Sequence, residues 1–294
     1  MDTITSAHTG SVVFGVDGSE SASHALDWAV DQAVAERLAL TLVHAISPLR
    51  TVRTDQLGGI DSQVQEALLA EGREILRIAR EAAARRAAEL EVHEVVRVMD
   101  PRALLLSLST DAALLVLGSR GRGPVRSLLL GSVGVAISRH AHCPVVIHRP
   151  GNRGEVRRGV LVGIDGSNDS RPALDFAFAQ ASVRSLPLTV LHSFWDAQAG
   201  VAGPHRVDVH SAEFEEQRLL IAESVAGLRE KFPDVHMDIE LARGYPGDCL
   251  VRAGERMHLI VVGAHRGSAA SGVVFGSTAA TVVEHATCAV AVVP

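Results

Sequence analysis

The chain has 294 residues, a formal net charge of −6, and 47% hydrophobic but only 3% aromatic residues. At roughly 150 residues per domain that length suggests two domains, and the acidic balance gives nucleic acid no support as a partner. A core of Val, Leu, Ile and Ala is what buried parallel sheets prefer, while no apolar leader opens the chain and no apolar run is long enough to span a membrane, so a cytoplasmic location is expected.

In chain order, apolar runs alternate with helical periodicity. The pattern predicts a strand near 12–17, a helix over 20–37, a strand over 39–46 and a helix over 62–89. A strand over 91–99, a helix over 101–110, a strand over 113–118, a helix over 130–141 and a strand over 144–148 follow. Ser19 suits a helix cap, and Pro101 after Asp100 suits a first helical turn. Such alternation argues an α/β fold, a parallel sheet wound by right-handed crossovers.

Arg149 to Gly159 mixes proline, glycine and charge without apolar periodicity and reads as a linker. Beyond it the pattern starts again, with strands near 159–165, 188–194, 235–242, 258–263 and 288–293. Gly15 to Ala45 aligns without a gap to Gly163 to Ser193, with 14 identities in 31 positions. Two tandem domains follow, 1–150 and 151–294. The offset is 148 residues at Asp17/Asp165 and His44/His192, but 145 at Gly118/Gly263 and Gly131/Gly276, so the second copy has lost three residues in between. Ser47 to Asp61 and Trp195 to His210 form the long connections after each second strand and read either as functional lids or as solvated loops.

The run Ala112 to Leu117 delivers Gly118-Ser119-Arg120-Gly121, and nine residues later comes Gly131-Ser132. Glycine lets backbone N–H groups approach an anion, and the first turn of the next helix adds unpaired donors and the positive end of a dipole. The stretch therefore reads as a phosphate cradle. In a doubly wound sheet, ligands bind at the carboxyl ends of strands where the strand order reverses. Asp17, closing the first strand, could there accept hydrogen bonds from a ribose or adenine donor, or else simply shape the following turn, as could Asp165.

These residues resemble the universal stress protein family, in its tandem, ATP-binding form. Gly118, Gly121, Gly131 and Ser132 match its glycine motif, Asp17 its strand-end aspartate, and Leu40 to His44 its histidine-containing strand. The resemblance covers nearly the whole chain, twice. It implies two tandem doubly wound domains, Rossmann-like and adenine nucleotide alpha hydrolase-like, each with five parallel strands in the order 3-2-1-4-5. It assigns adenine contacts to Gly15, Val16, Asp17, Ala45 and Leu117, and ribose and phosphate contacts to Gly118, Arg120, Gly121, Gly131, Ser132 and Val133. In the second copy the same positions fall on Gly163, Ile164, Asp165, Ser193, Val262, Gly263, His265, Arg266, Gly276, Ser277 and Thr278. The resemblance also implies that Val145–His148 and Ala289–Val293 pair within one chain as a pseudo-dimer, and that two chains form a homodimer.

The second motif departs from the first: Arg266 stands where Gly121 does, and Gly267 comes one residue late. Arg266 would either crowd a phosphate or supply it with countercharge. His44 and His192 read as core histidines or as an acid or base, and Arg120 and His265 as solvated side chains or phosphate contacts. Cys143, Cys249 and Cys288 form no C-x-x-C pair and suit buried thiols. No His-Glu-x-x-His occurs, so no metal held by side chains is expected. Lys231, the one lysine, is far in sequence from both glycine loops, which excludes a P-loop, and no activated nucleophile is evident. The expectation is a stress-response regulator binding ATP with Mg2+ and no efficient catalysis. A slow ATP hydrolase or other adenine-nucleotide enzyme, and a dimerisation scaffold with vestigial sites, are the alternatives.

Overall fold

The computed structural model describes residues 9–47, 62–119, 131–149, 159–196, 199–264 and 276–294. It divides into two compact units, Met1–Arg149 and Pro150–Pro294.

The first unit runs β1 (Val12–Gly15), α1 (Glu20–Glu36), β2 (Leu40–Ile46), α2 (Ser62–Arg86), β3 (Val92–Val98), α3 (Pro101–Leu108), β4 (Leu114–Gly118), α4 (Ser132–His140) and β5 (Val145–His148). All five strands are parallel, in the order β3-β2-β1-β4-β5. The chain reverses direction across the sheet between β1 and β4, so the carboxyl ends of those two strands frame the switch point. Continuous apolar runs occupy the centre because both faces are covered: Val12, Val13, Phe14 and Leu114 to Leu117 are all buried. On α1, Ala22, Ala25, Leu26, Ala29, Val30 and Ala33 form the buried stripe at helical spacing. Ser11 and Thr41 share a buried hydroxyl hydrogen bond of 2.8 Å between the starts of β1 and β2.

In the second unit come β6 (Val160–Ile164), a 3₁₀ turn (Asn168–Ser170), α5 (Arg171–Arg184), β7 (Leu188–Phe194), α6 (Ala199–Ala202) and β8 (His205–Val207). A 3₁₀ turn (Ala212–Phe214), α7 (Glu215–Ser224), α8 (Leu228–Lys231), β9 (Met237–Arg243), α9 (Pro246–Ala253), β10 (Leu259–Gly263), α10 (Ser277–His285) and β11 (Ala289–Val293) complete it. The order β9-β7-β6-β10-β11 repeats that of the first unit, all parallel. β8 then adds a sixth, antiparallel strand on β9. Nothing in the alternation of apolar residues marked it, because three residues are too short for a period-2 signal and His205-Arg206-Val207 is an edge. The connection read from Trp195 to His210 as a loop therefore holds both α6 and β8.

Both α1 and α5 end on a residue in the left-handed region, Arg37 (φ 56°) and Ser185 (φ 50°), at matching positions of the repeat. Glycine usually takes this place, and a side chain there costs about 1–2 kcal/mol. The N–H groups of Leu38 and Leu186 answer the carbonyls of Ala33 and Ala181, each at 2.9 Å, so the helix ends are closed despite that cost. No described helix is long and apolar enough to cross a membrane.

Candidate functional site

In the first unit β1 ends at Gly15, whose missing side chain leaves room for Leu117: a β-carbon there would stand 2.6 Å from the Leu117 Cδ2. Val16 donates its N–H to the Val43 carbonyl at 2.8 Å. The Val16 carbonyl in turn receives Nδ1 of His44 at 2.7 Å. A carbonyl can only accept, so Nδ1 carries the proton and the ring braces β1 against β2. Ala45, the next residue of β2, is half-buried beside this brace.

Asp17 follows, also half-buried, and its Oδ1 accepts the Ser19 N–H at 2.9 Å across Gly18, which takes φ +75°. This is an Asx turn, which tolerates a left-handed glycine at its centre. Ser19 caps α1, its hydroxyl accepting the Ala22 N–H at 3.2 Å. Asp17 thus does shape its turn, the plainer of the two roles expected of it. It does so with one oxygen, by a single hydrogen bond among the described residues.

The second side of the site is made by β4 and α4. The Ser119 N–H extends the β4–β5 ladder to the His148 carbonyl at 3.0 Å, and the Ser119 carbonyl accepts the Gly131 N–H at 3.1 Å. This last bond brings Gly131 to the residue that follows Gly118, twelve residues away in sequence. Gly131 is the N-cap of α4 and offers no side chain to the N–H groups of the first turn, which belongs to Ser132 and Val133. A helix start without a side-chain cap hydrogen bond and the dipole end of a nine-residue helix favour an anion. Ser132 is exposed and Val133 half-buried, whereas Leu117 lies in the core. Arg120 and Gly121 lie outside the described residues.

The second unit repeats this frame with different detail. Gly163 yields to Leu250, whose Cδ1 would meet a β-carbon at 2.6 Å. Nδ1 of His192 donates to the Ile164 carbonyl at 3.1 Å. Ala264 N–H reaches the Val293 carbonyl at 2.7 Å, and Gly276 caps α10, again without a side-chain hydrogen bond. Ser193 is half-buried, Val262 buried and Gly263 half-buried, while Ser277 is exposed and Thr278 half-buried. Asp165 Oδ1, however, takes three hydrogen bonds: from the Ser167 N–H at 2.9 Å, the Ser167 hydroxyl at 2.7 Å and the Ser170 hydroxyl at 2.8 Å. His265 and Arg266 lie outside the described residues.

One feature at the same edge carries no sequence signal. Arg243, at the end of β9 and only 8% exposed, sits over the rings of Phe194 and Phe214 at 5.7 and 5.3 Å. It pairs with Asp196 at 3.0 Å and Glu213 at 2.5 Å. Phe194 closes β7 and the other three partners lie on the connection between β7 and α7, so Arg243 pins that connection to the carboxyl edge of the sheet. Beside it Trp195 and Tyr245 stack at 6.3 Å.

Residues 9–149 and 157–294 each match the family model of the universal stress protein family. The chain belongs to that family. A universal stress protein of Mycobacterium tuberculosis is 33% identical over 279 residues, covering 93% of this chain and 92% of its own length. One from Mycolicibacterium smegmatis is 31% identical over 296 residues, covering 99% of both. These relatives, like this chain, span two family domains' worth of sequence. Among solved structures, a universal stress protein from Archaeoglobus fulgidus superposes with a TM-score of 0.70 at 18% identity, over 96% of this chain and 95% of its own, a likeness of fold.

Proposed function

We propose that the protein binds an adenine nucleotide, ATP as its magnesium complex, and acts as a nucleotide-dependent regulator rather than as an enzyme. The observation that carries this reading is the 3.1 Å bond from Gly131 N–H to the Ser119 carbonyl, which sets an uncapped helix start beside the β4 terminus and within the same carboxyl edge as Asp17. The residues fit such a ligand. Asp17 keeps an oxygen for a sugar or base donor, Gly15, Val16, Ala45 and Leu117 would border the base, and Gly118, Gly131, Ser132 and Val133 would offer backbone and hydroxyl donors to phosphate. Bound ATP would supply negative charge for those donors. Several charge-assisted bonds of about 1.5–3 kcal/mol each, less the cost of association, support micromolar affinity.

The regulatory part rests on the relatives' name and on the described residues of the site, among which no nucleophile–base pair stands. Cytoplasmic location and homodimer formation belong to the same proposal. Nucleotide extracted from the purified protein and identified by mass spectrometry should contain adenine. Calorimetry should show binding below millimolar ATP. Absence of both refutes the reading, and ATP turnover that disappears in Asp17→Ala would replace the regulator by a hydrolase.

A further inference from the structure

The two repeats present the same Asp-Gly-Ser turn with the same backbone: Gly18 and Gly166 take φ of +75° and +83°. What surrounds the aspartate differs. At the position where the first repeat has Ala22, the second has Ser170, 9% exposed. Its hydroxyl donates to Asp165 Oδ1 at 2.8 Å and accepts the Asp165 N–H at 3.3 Å, closing the turn on itself. Ser167, the counterpart of the capping Ser19, turns its hydroxyl to the same oxygen at 2.7 Å instead of capping the helix. In consequence the second repeat enters its helix through a 3₁₀ turn at Asn168–Ser170, where the first enters directly on a capped α-helix.

Two further observations agree. Leu220 of α7 presses on Gly166, its Cδ2 only 2.2 Å from where a β-carbon would stand, so this turn is held from outside as well. Gly118 touches the first turn of α1 at Ser21 with 3.0 Å to a built β-carbon, whereas Gly263 has Asp169, the matching residue, at 3.9 Å. The second cradle is the more open across its glycine and the more closed at its aspartate.

We propose that Ser170 is a positioning residue that makes the second site the weaker one. By loading Oδ1 of Asp165 together with Ser167, it fixes the carboxylate's orientation and presents a hydroxyl or amino donor of a nucleoside phosphate with an acceptor whose charge is already shared among three hydrogen bonds. This rests on the reading of both sites as nucleotide sites. It assigns the protein a stepwise response, in which the first unit fills at low nucleotide concentration and the second only when nucleotide is abundant.

Calorimetric titration of the full chain with ATP tests it. Wild type is expected to show one strong site and a second that is much weaker or below detection. Ser170→Ala is expected to tighten the weak site, or bring it into detection, by about tenfold, the worth of one hydrogen bond to a charged group. The reciprocal Ala22→Ser is expected to weaken the strong site by a similar factor. Both substitutions are nearly isosteric, and melting curves within a few degrees of wild type separate an effect on Asp165 or Asp17 from a loss of folding. Two equal sites in wild type, or either variant leaving its site within twofold, overturns the role of Ser170 while nucleotide binding stands. No ATP binding in any of the three proteins overturns the nucleotide reading itself.

Discussion

Gly118 lies against the backbone of Ser21, so closely that a β-carbon built on it would stand 3.0 Å from both the carbonyl carbon and the carbonyl oxygen. Backbone cannot swing aside as a side chain can. The end of β4 and the first turn of α1 are therefore in contact through this glycine, and α1 begins at Glu20, directly after the Asp17–Ser19 turn.

Gly118→Ala should push the two apart and cost about 1–3 kcal/mol, as overpacking of a close contact does. Gly263→Ala should cost little, since Asp169 stands 3.9 Å away. Thermal unfolding of both variants checks this. A fall of several degrees for Gly118→Ala and of about one degree or less for Gly263→Ala is expected.

His44→Ala removes the 2.7 Å bond to the Val16 carbonyl and empties space under α2, where Gly72 has the His44 Cδ2 at 3.1 Å from its built β-carbon. An unsatisfied carbonyl plus a cavity predicts a loss of about 2–3 kcal/mol. His192→Ala, whose bond is 3.1 Å, should cost less. Denaturant melts report both, and an equal loss in the two variants contradicts the brace.

Cys143 is 5% exposed two residues before β5, and burial pushes its thiol up to about 12. The folded state therefore favours the protonated thiol. Its contribution to stability is whole below the ordinary value of 9.0 and is lost as the pH rises from there toward 12. Burial shifts the Cys249 thiol in the same direction, so the Cys143 contribution is read as the difference between wild type and its variant. Alkaline unfolding should shift upward in Cys143→Ala, and a thiol reagent at pH 8 should label native Cys143 far more slowly than unfolded protein.

Asp100 caps α3, accepting the N–H groups of Arg102 at 2.8 Å and Ala103 at 3.4 Å. The Arg102 guanidinium hydrogen-bonded to its carboxylate, with those N–H groups, draws its pKa down to about 2. The stabilisation is present above the ordinary 3.8 and disappears as the pH falls toward 2. Asp100→Ala should lose about 1 kcal/mol at neutral pH and flatten the acid limb of the stability profile between pH 4 and 2. Because the side chain is 38% exposed, the effect should shrink in high salt.

Most of the first unit is legible in the chain itself. The runs ending at Gly15 and Gly118 are continuous, and such runs belong to strands covered on both faces, so β1 and β4 differ from the expected spans by a residue or two. Helix starts are legible where capping chemistry is local, as at Ser19 and at Asp100-Pro101. The glycine motif is legible as spacing, and at Gly118 the absent side chain is required by the close approach of Ser21.

What the sequence determines alone is therefore the repeat, the succession of the five parallel strands in each unit, and the residue types of the glycine motif, all of them local or periodic properties. The tertiary structure decides which hydroxyl reaches which carboxylate. Ser19 and Ser167 are the same residue at the same place in the repeat, yet one caps a helix and the other holds Asp165, because Ser170 replaces Ala22 three residues on. The antiparallel strand β8 and the Arg243 cluster likewise depend on partners brought together from Phe194, Asp196, Glu213 and Phe214. Hydrogen bonds and ion pairs are short-ranged and directional, so their choice of partner is settled only once the backbone has placed every competitor.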